Sequence, residues 1–411
     1  MPKLSLLEKY AKLAVKVGVN VQQGQLVVVR ATTETKELTR LIVKEAYLAG
    51  ASKVITQWSD EEITRYAYDF QTIEVLEDIP SYIIETNRYY VEQGACFINV
   101  ISPVIGVNAG VDPTKMAKSL TAAQKAVPFL REYTMGNKGA WTIVAASNPV
   151  WAEAVFPNLK GDEATEALWT ALLNACRVYE DSDPIENWAK HNAVLEKHNK
   201  ILNDLNFKEL RFKNSLGTDL TVGLVENHIW SGGGEKTTTG VYFNPNIPTE
   251  ESFTMPYKWA TSGKVVATKP LNYNGTLIED FYLVFKDGKV VEFEAKKEHK
   301  TLEELLNTDE NARYIGEIAL ISHDSPISNT NLLFLNTLYD ENASCHMALG
   351  RAYPMNIKGG LTASMEELEA QGYNKSLIHV DFMFGSKDMS IVGVKQDGQE
   401  VVVFKDGNFV I

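Results

Sequence analysis

Leu26-Val27-Val28-Val29, entered through Gly24-Gln25 and left through Arg30-Ala31-Thr32-Thr33, is a continuous apolar run. Strands buried on both faces read this way, because neither side of the pleat meets water. Before it, Leu4 to Val17 sets Leu7, Tyr10, Leu13, Ala14 and Val17 at helical spacing. After it, Thr33 to Ala49 puts Leu38, Leu41, Ile42 and Ala46 on one face and stops at Gly50. Ala51 to Thr56, Ala95 to Val100 and Ala140 to Ala145 repeat the strand texture. Strand, helix and strand with short connections predict an α/β N-terminal domain, a parallel sheet covered by helices.

The texture changes in the second half. Asp183-Pro184 reads as an N-cap and first helical residue, opening a helix to about Leu205. Leu210 to Val222 then alternates like a hairpin turning at Asn214 to Thr218. Asp287-Gly288, Asp397-Gly398 and Asp406-Gly407 are further hairpin signals. The expected architecture is therefore two domains, residues 1–208 and 209–411. The second is α+β and rich in antiparallel strands. A chain of 411 residues is long for a single core, which supports the division.

Composition narrows the function classes. Hydrophobic residues make up 45% and charged residues 23%, ordinary for a soluble globular protein. A net charge of −13 argues against nucleic acid as a partner, which would call for a basic face. Cys96, Cys176 and Cys345 are far apart and form no CxxC pair, so a thiolate zinc finger is excluded and a reducing compartment is expected. No basic flank followed by an apolar run opens the chain, and no apolar run approaches the roughly 18 residues of a membrane span. These features predict a cytoplasmic protein.

Ligand-type residues gather at four places in the second half. In Ser376-Leu-Ile-His379-Val-Asp381-Phe-Met-Phe-Gly-Ser386, His379 and Asp381 stand two apart and share one strand face. Pro248-Thr249-Glu250-Glu251 presents two carboxylates at a stiffened turn, or alternatively begins a helix. Glu317 lies inside the apolar run Ile315 to Leu320, where a carboxylate must be paired, protonated, metal-bound or solvent-facing; Gly316 beside it admits a close neighbour. Asp340-Glu341 leads to Cys345-His346 and on to Tyr353-Pro354. Carboxylates that bridge and imidazoles that fill the remaining positions suit two divalent cations. His191, His198, His228, His299 and His323 lack such neighbours in sequence, and His323-Asp324 reads as a loop.

Other chemistries fail at the residue level. No G-x-G-x-x-G follows the Leu26 run, so dinucleotide binding is unsupported. Ser231-Gly232-Gly233-Gly234-Glu235-Lys236-Thr237 has an acid where a phosphate loop needs glycine before lysine, and it is expected to be a flexible loop. No G-x-S-x-G elbow is present. A non-catalytic protein that binds divalent metal would use the same ligands and is the alternative reading.

Asn246-x-Pro-Thr-Glu-Glu, Ile-Gly316-Glu317, Asp-Glu341-Asn-Ala-x-x-His346 followed by Ala-Leu-Gly-x-Ala-Tyr353, and Ile-His379-Val-Asp381-Phe-Met-x-Gly-Ser resemble the metalloaminopeptidases of the aminopeptidase T, aminopeptidase S and PepS family. The likeness covers nearly the whole chain, including the opening Leu-x-x-Tyr-Ala-x-Leu segment. It implies a cytoplasmic, homodimeric hydrolase acting on peptides with a free N-terminus, with two divalent metal ions (Zn, Co or Mn) held in the C-terminal domain. It implies Glu251, Glu317, His346, His379 and Asp381 as ligands, and Glu341 as a further acid at the metals. It also implies Tyr353 as a site tyrosine, which as a catalytic group would donate to the developing oxyanion; of Glu250 and Glu251 the second is preferred as the ligand, and Glu250 then stands as a candidate base or an acid behind the ligands. Ser344-Cys345 departs from the smaller, less reactive residues expected before His346.

Overall fold

The Leu26 run folds as the strand Leu26–Thr32, an inner strand of a four-stranded sheet. The computed structural model describes residues 2–273 and 276–411. In sheet order the strands are Lys53–Ser59, Leu26–Thr32, Cys96–Ile101 and Trp141–Ala145, and every pairing is parallel. Leu26 and Val28 pack with Tyr90, Phe97 and Tyr133. Val27 and Val29 face the other way and are equally buried. Each buried valine contributes about 1.5–3 kcal/mol relative to exposure. Arg30 interrupts the run. Its guanidinium lies 4.8 Å from the Phe97 ring centroid, and its Nε and Nη2 donate to Gln57 and Asn87. The first helix is Leu4–Leu13, continued by a π turn at Ala14–Gly18.

The chain packs as two compact units, Met1–Lys190 with Gly234–Pro248 and His191–Gly233 with Thr249–Ile411. The expected division at 208/209 differs from this in two places. The helix Pro184–Leu205, capped by Asp183 as expected, changes unit part-way along. Gly234–Pro248 returns to the first unit, where Asn244 N–H donates to the Val17 and Gly18 carbonyls and Asn246 bridges to Ile143. Those partners are remote in sequence, so no local pattern announces the return.

The second unit is built from antiparallel strands. Its nine-stranded sheet runs Leu271–Tyr273, Thr276–Lys286, Pro256–Val266, Asp219–Leu224, Phe207–Lys213, Ser390–Lys395, Glu400–Lys405 and Asn408–Phe409, with Lys289–Lys297 also on Thr276–Lys286. Asp287-Gly288 closes a two-residue hairpin with both φ positive, 49° and 80°. Asn214 to Thr218, Asp397-Gly398 and Asp406-Gly407 also turn hairpins.

A smaller four-stranded sheet carries the ligand-type residues. Its order is His379–Met383, His346–Gly350, Ile315–Leu320 and Ser252–Thr254. Ile318, Met347 and Phe382 belong to one apolar core with Phe212, Phe281 and Phe384. Each follows a ligand-type residue directly. Alternation therefore sends Glu317, His346 and Asp381 to the opposite face.

Candidate metal centre

Register places the acids side by side. Glu317 and Asp381 both pair with Ala348, from the two flanking strands. A methyl group stands between them where a larger side chain would fill the space. His346 pairs with Ala319 and Met383, and His379 with Gly350, on the same face. Glu251 precedes the edge strand Ser252–Thr254, so Pro-Thr-Glu-Glu enters a strand and does not start a helix. Every residue of Ile315–Leu320 is buried, Glu317 included at 5% exposure.

The donor atoms form two triads that share Glu317: Glu251, Glu317 and His346, and Glu317, His379 and Asp381. His346 Nε2 is 3.5 Å from Glu251 Oε2 and 3.5 Å from Glu317 Oε1. His379 Nε2 is 3.5 Å from Glu317 Oε2 and 3.6 Å from Asp381 Oδ2. A good N–H···O bond is about 2.9 Å long. Two ligand atoms about 2.1 Å from one ion in tetrahedral array lie about 3.4 Å apart. The observed spacings match the second figure.

Orientation of His379 is built in. Its Nδ1 lies 2.7 Å from the Arg351 carbonyl, which can only accept, so Nδ1 carries the proton and Nε2 presents its lone pair. Gly316 makes room for that carbonyl: a Cβ there would lie 2.3 Å from the Arg351 oxygen. The close approach expected at Gly316 is thus to the group that sets the His379 tautomer. The strand carries its register shift between Ile315 and Glu317.

Electrostatics call for a cation. Burial lifts the Glu251 carboxyl to about 8; His346 pulls it back, while Glu317 and Asp381 push it further up. Burial also holds Glu341 well above the carboxylate range, reinforced by Asp381 and Glu251. Burial opposes the His346 cation, but Glu317 and the other acids outweigh it and raise that imidazole to about 10. His379 rises likewise, with Asp381 and Glu317 outweighing burial. Asp381 Oδ1 and His346 Nδ1 are buried without hydrogen-bond partners. Crowded acids, two imidazole Nε2 atoms aimed among them and an orphaned carboxylate oxygen are what divalent cations satisfy in place of protons, so the residues fit the metal.

The remaining candidates fall around this core. Glu341 opens the short turn Glu341–Ala343 before the His346 strand, and its charge neighbours come from both triads. Tyr353 is extended, φ −103° and ψ 124°, as its place before proline predicts. Its ring centroid lies 4.7 Å from that of His379. Burial raises its phenol well above the ordinary value, and Glu317, Asp381 and Glu341 add to the rise, so it keeps its proton. Glu250 points elsewhere, with its carboxylate 3.8 Å from His191 Nε2 and its backbone N–H on Asn342 Oδ1 at 2.7 Å.

Three features escaped the sequence. His191, thought to lack an acidic neighbour, has Glu250, and its Nε2–H donates to the Thr249 carbonyl. Asn342 ties the Glu250 backbone to the Glu341 turn; its place inside Asp-Glu-Asn-Ala was the available signal. The expected flexible loop at Ser231-Gly232-Gly233 is instead hydrogen-bonded, Ser231 and Phe253 exchanging two backbone bonds. Gly232, at φ 135°, packs so closely on the Glu251 carbonyl that a Cβ would lie 2.1 Å from it. The unexpected Ser344-Cys345 pair is buried, and burial lifts the Cys345 thiol to about 12, which leaves it unreactive.

Known proteins resemble this chain along nearly its whole length. The family model described as thermophilic metalloprotease (M29) matches residues 4–409. Aminopeptidase 2 of Geobacillus stearothermophilus is 44% identical over 403 residues, 98% of this chain and 97% of that protein. Aminopeptidase AmpS of Bacillus subtilis is 43% identical over 403 residues, 98% of each. The solved structure of wild-type AmpT from Thermus thermophilus superposes with a TM-score of 0.92 at 38% identity, over 99% of both chains. On the strength of a match along nearly its whole length, the chain belongs to the M29 family of metalloproteases.

Proposed function

We propose that this protein is an aminopeptidase that releases N-terminal amino acids from peptides, with two divalent cations at the Glu317 sheet. The observation that carries the reading is the Glu317 carboxylate, whose two oxygens each face a different imidazole Nε2 at 3.5 Å. Glu251 and His346 would hold one ion and His379 and Asp381 the other, with Glu317 shared. Glu341 would close the space between the Asp381 and Glu251 sides. Zn²⁺, Co²⁺ and Mn²⁺ suit such mixed ligands alike. When bound, the cations would polarise the scissile carbonyl and supply hydroxide near neutral pH.

The chain's own groups do the remaining work. Surplus acid attracts the cationic N-terminus of a peptide. The protonated Tyr353 hydroxyl donates to the oxyanion that develops on the scissile carbonyl. A carboxylate takes up the proton of the attacking water and delivers it to the leaving amine. Glu341, whose charge neighbours come from both triads, would make that transfer. Glu250, beside His191, acts through the backbone it shares with Glu251. The same reading makes the protein a cytoplasmic homodimer. Its three cysteines are free and buried, in keeping with a reducing compartment. Ile63, Tyr66 and Phe70 form an exposed apolar stripe of the kind that oligomers cover. Among the described residues no helix is long and apolar enough to cross a membrane.

The test is metal exchange with elemental analysis. Metal-free protein given Co²⁺ or Zn²⁺ should take up two ions per chain and release free amino acid from a peptide amide. Full activity at one ion per chain would overturn the dinuclear reading. Metal uptake with no amino acid released would make the protein a metal binder. Light scattering reads the oligomeric state, and a monomer overturns that part.

A further inference from the structure

Two clefts in the second unit share Pro270 and Leu333. One is small and includes Glu341 and Asp381. The other encloses about 410 Å³, and its polar lining includes Lys269, Lys387, His323, Ser328, Ser344 and Ser386. No aspartate or glutamate is among its lining residues. In a chain of net charge −13, beside a centre crowded with acids, this is a local reversal of charge.

Lys269 is the informative group. It is half-buried, and that burial lowers its pKa. Its Nζ donates to the Leu332 carbonyl at 3.2 Å. An ammonium has three donors, so one such bond leaves two for another acceptor. Asp340 acts on Lys269 electrostatically, but its two oxygens already accept the Phe334 and Asn336 N–H groups. Thr268 Oγ1, from the adjacent lining residue, is buried without a partner. A buried charge is costly unless paired and hydrogen-bonded. Hydroxyls surround the cleft: Ser328 Oγ lies 3.5 Å from His323 Nδ1, and Ser344 Oγ donates to the Cys345 carbonyl. Ser386 Oγ donates to Asp388, whose other oxygen accepts the Ser215 N–H.

We infer that the Lys269–Lys387 cleft is a binding site for a small oxyanion, carboxylate or phosphate, next to the metal centre. Two ammonium groups and several hydroxyls supply the charge-assisted bonds such an anion forms. The carboxylate could be the C-terminus of a short peptide whose N-terminus lies at the acids. That source rests on the aminopeptidase reading. A peptide of two to four residues spans about 7–14 Å, the scale of neighbouring clefts.

The experiment uses the full-length, metal-loaded protein. Steady-state rates are compared for Leu-Gly-Gly, its C-terminal amide, and leucine p-nitroanilide, which has no carboxylate. With a peptide carboxylate in the cleft, the free acid has a KM about tenfold below that of the amide. Lys269→Met then makes the two equal and leaves kcat and the p-nitroanilide rate unchanged, and Lys269→Arg restores the difference. Calorimetric titration with inorganic phosphate is the second arm. If free acid and amide behave alike, but wild type shows a phosphate-binding event that the Lys269→Met/Lys387→Met double variant lacks, the site serves a free oxyanion. No free-acid advantage, together with identical phosphate titrations of wild type and double variant, overturns the inference. Should Lys269→Met fail to fold, the exposed Lys387→Met and Lys387→Arg pair carries the same comparison. Absence of any amino acid release, p-nitroanilide included, sinks the aminopeptidase reading alone, because the phosphate titration still decides the cleft.

Discussion

Arg30 and Glu317 are both charged residues inside otherwise apolar strands, one in each unit, and their surroundings differ in kind. Arg30 stacks on Phe97 and gives its protons to two neutral amides, Gln57 and Asn87. Glu317 faces two imidazoles, with three further acids nearby and an orphaned oxygen on Asp381. A charge stacked on a ring and bonded to neutral amides stabilises a fold. A charge whose neighbours are more charges, with lone pairs left over, waits for a ligand. The contrast also explains why a buried carboxylate survives in Ile315–Leu320 despite its desolvation cost.

The sharpest break of the comparison is Glu317→Gln. The substitution removes the charge that both triads share and puts a non-ligating NH2 in place of one of the two oxygens, so both ions should be lost. Metal content per chain should fall towards zero, with the fold retained by circular dichroism. The rate should fall by more than the roughly 10²–10³ that accompanies loss of one oxyanion donor. Retention of two ions would mean that Glu317 is not shared.

Tyr353→Phe comes next. It keeps the ring against His379 and removes only the hydroxyl. Expected is a drop in kcat of about 10²–10³ with metal content and KM little changed. Near-normal kcat would leave Tyr353 as packing. Smaller again is Gly316→Ala. The added methyl must displace the Arg351 carbonyl, 2.3 Å from the Cβ position, and with it the His379 tautomer. Loss of such an orienting partner costs about 10–100-fold in metal affinity. The loss should fall on the His379–Asp381 ion and appear as a split in the metal titration. An unshifted titration would show that the carbonyl does not set the ligand.

How far the sequence carried depends on the range of the interactions. The parallel strands were legible because burial on both faces writes a continuous apolar run, as at Leu26-Val29. The hairpins were legible because positive φ selects residue types, as at Asp287-Gly288. The candidate metal-binding residues could be picked out because polar residues at fixed places in apolar strands stand out, Glu317 most of all. What sequence could not show were contacts fixed by tertiary placement. Gly234–Pro248 joins the first unit through backbone partners near Val17 and Ile143. His191 meets Glu250 because a helix and a turn 58 residues apart converge. Ser231 pairs with Phe253, so a glycine run that reads as slack is held against the Glu251 backbone.

The smallest effect on catalysis is expected at Arg30, and it tests the other half of the comparison. Arg30→Met keeps an unbranched apolar stem against Phe97 and deletes every donor. Gln57 Oε1 and Asn87 Oδ1 then lose the hydrogen bonds they accept at 3.0 and 2.8 Å. An acceptor left unsatisfied in a buried place costs about 1–3 kcal/mol. Desolvation of the guanidinium, which lowers the Arg30 pKa, disappears at the same time and offsets part of that cost. The net expectation is a lower urea midpoint for the first unit, followed by tryptophan fluorescence, since Trp141 lies on the same sheet. Metal content and kcat should match wild type, because Arg30 donates to two neutral amides of its own unit and neither is a ligand-type residue. A stability loss with intact catalysis keeps the two charges distinct. If Arg30→Met instead lowered kcat as far as Gly316→Ala lowers metal affinity, neutral partners would no longer identify a structural charge, and the rule drawn from Glu317 would lose its counterpart.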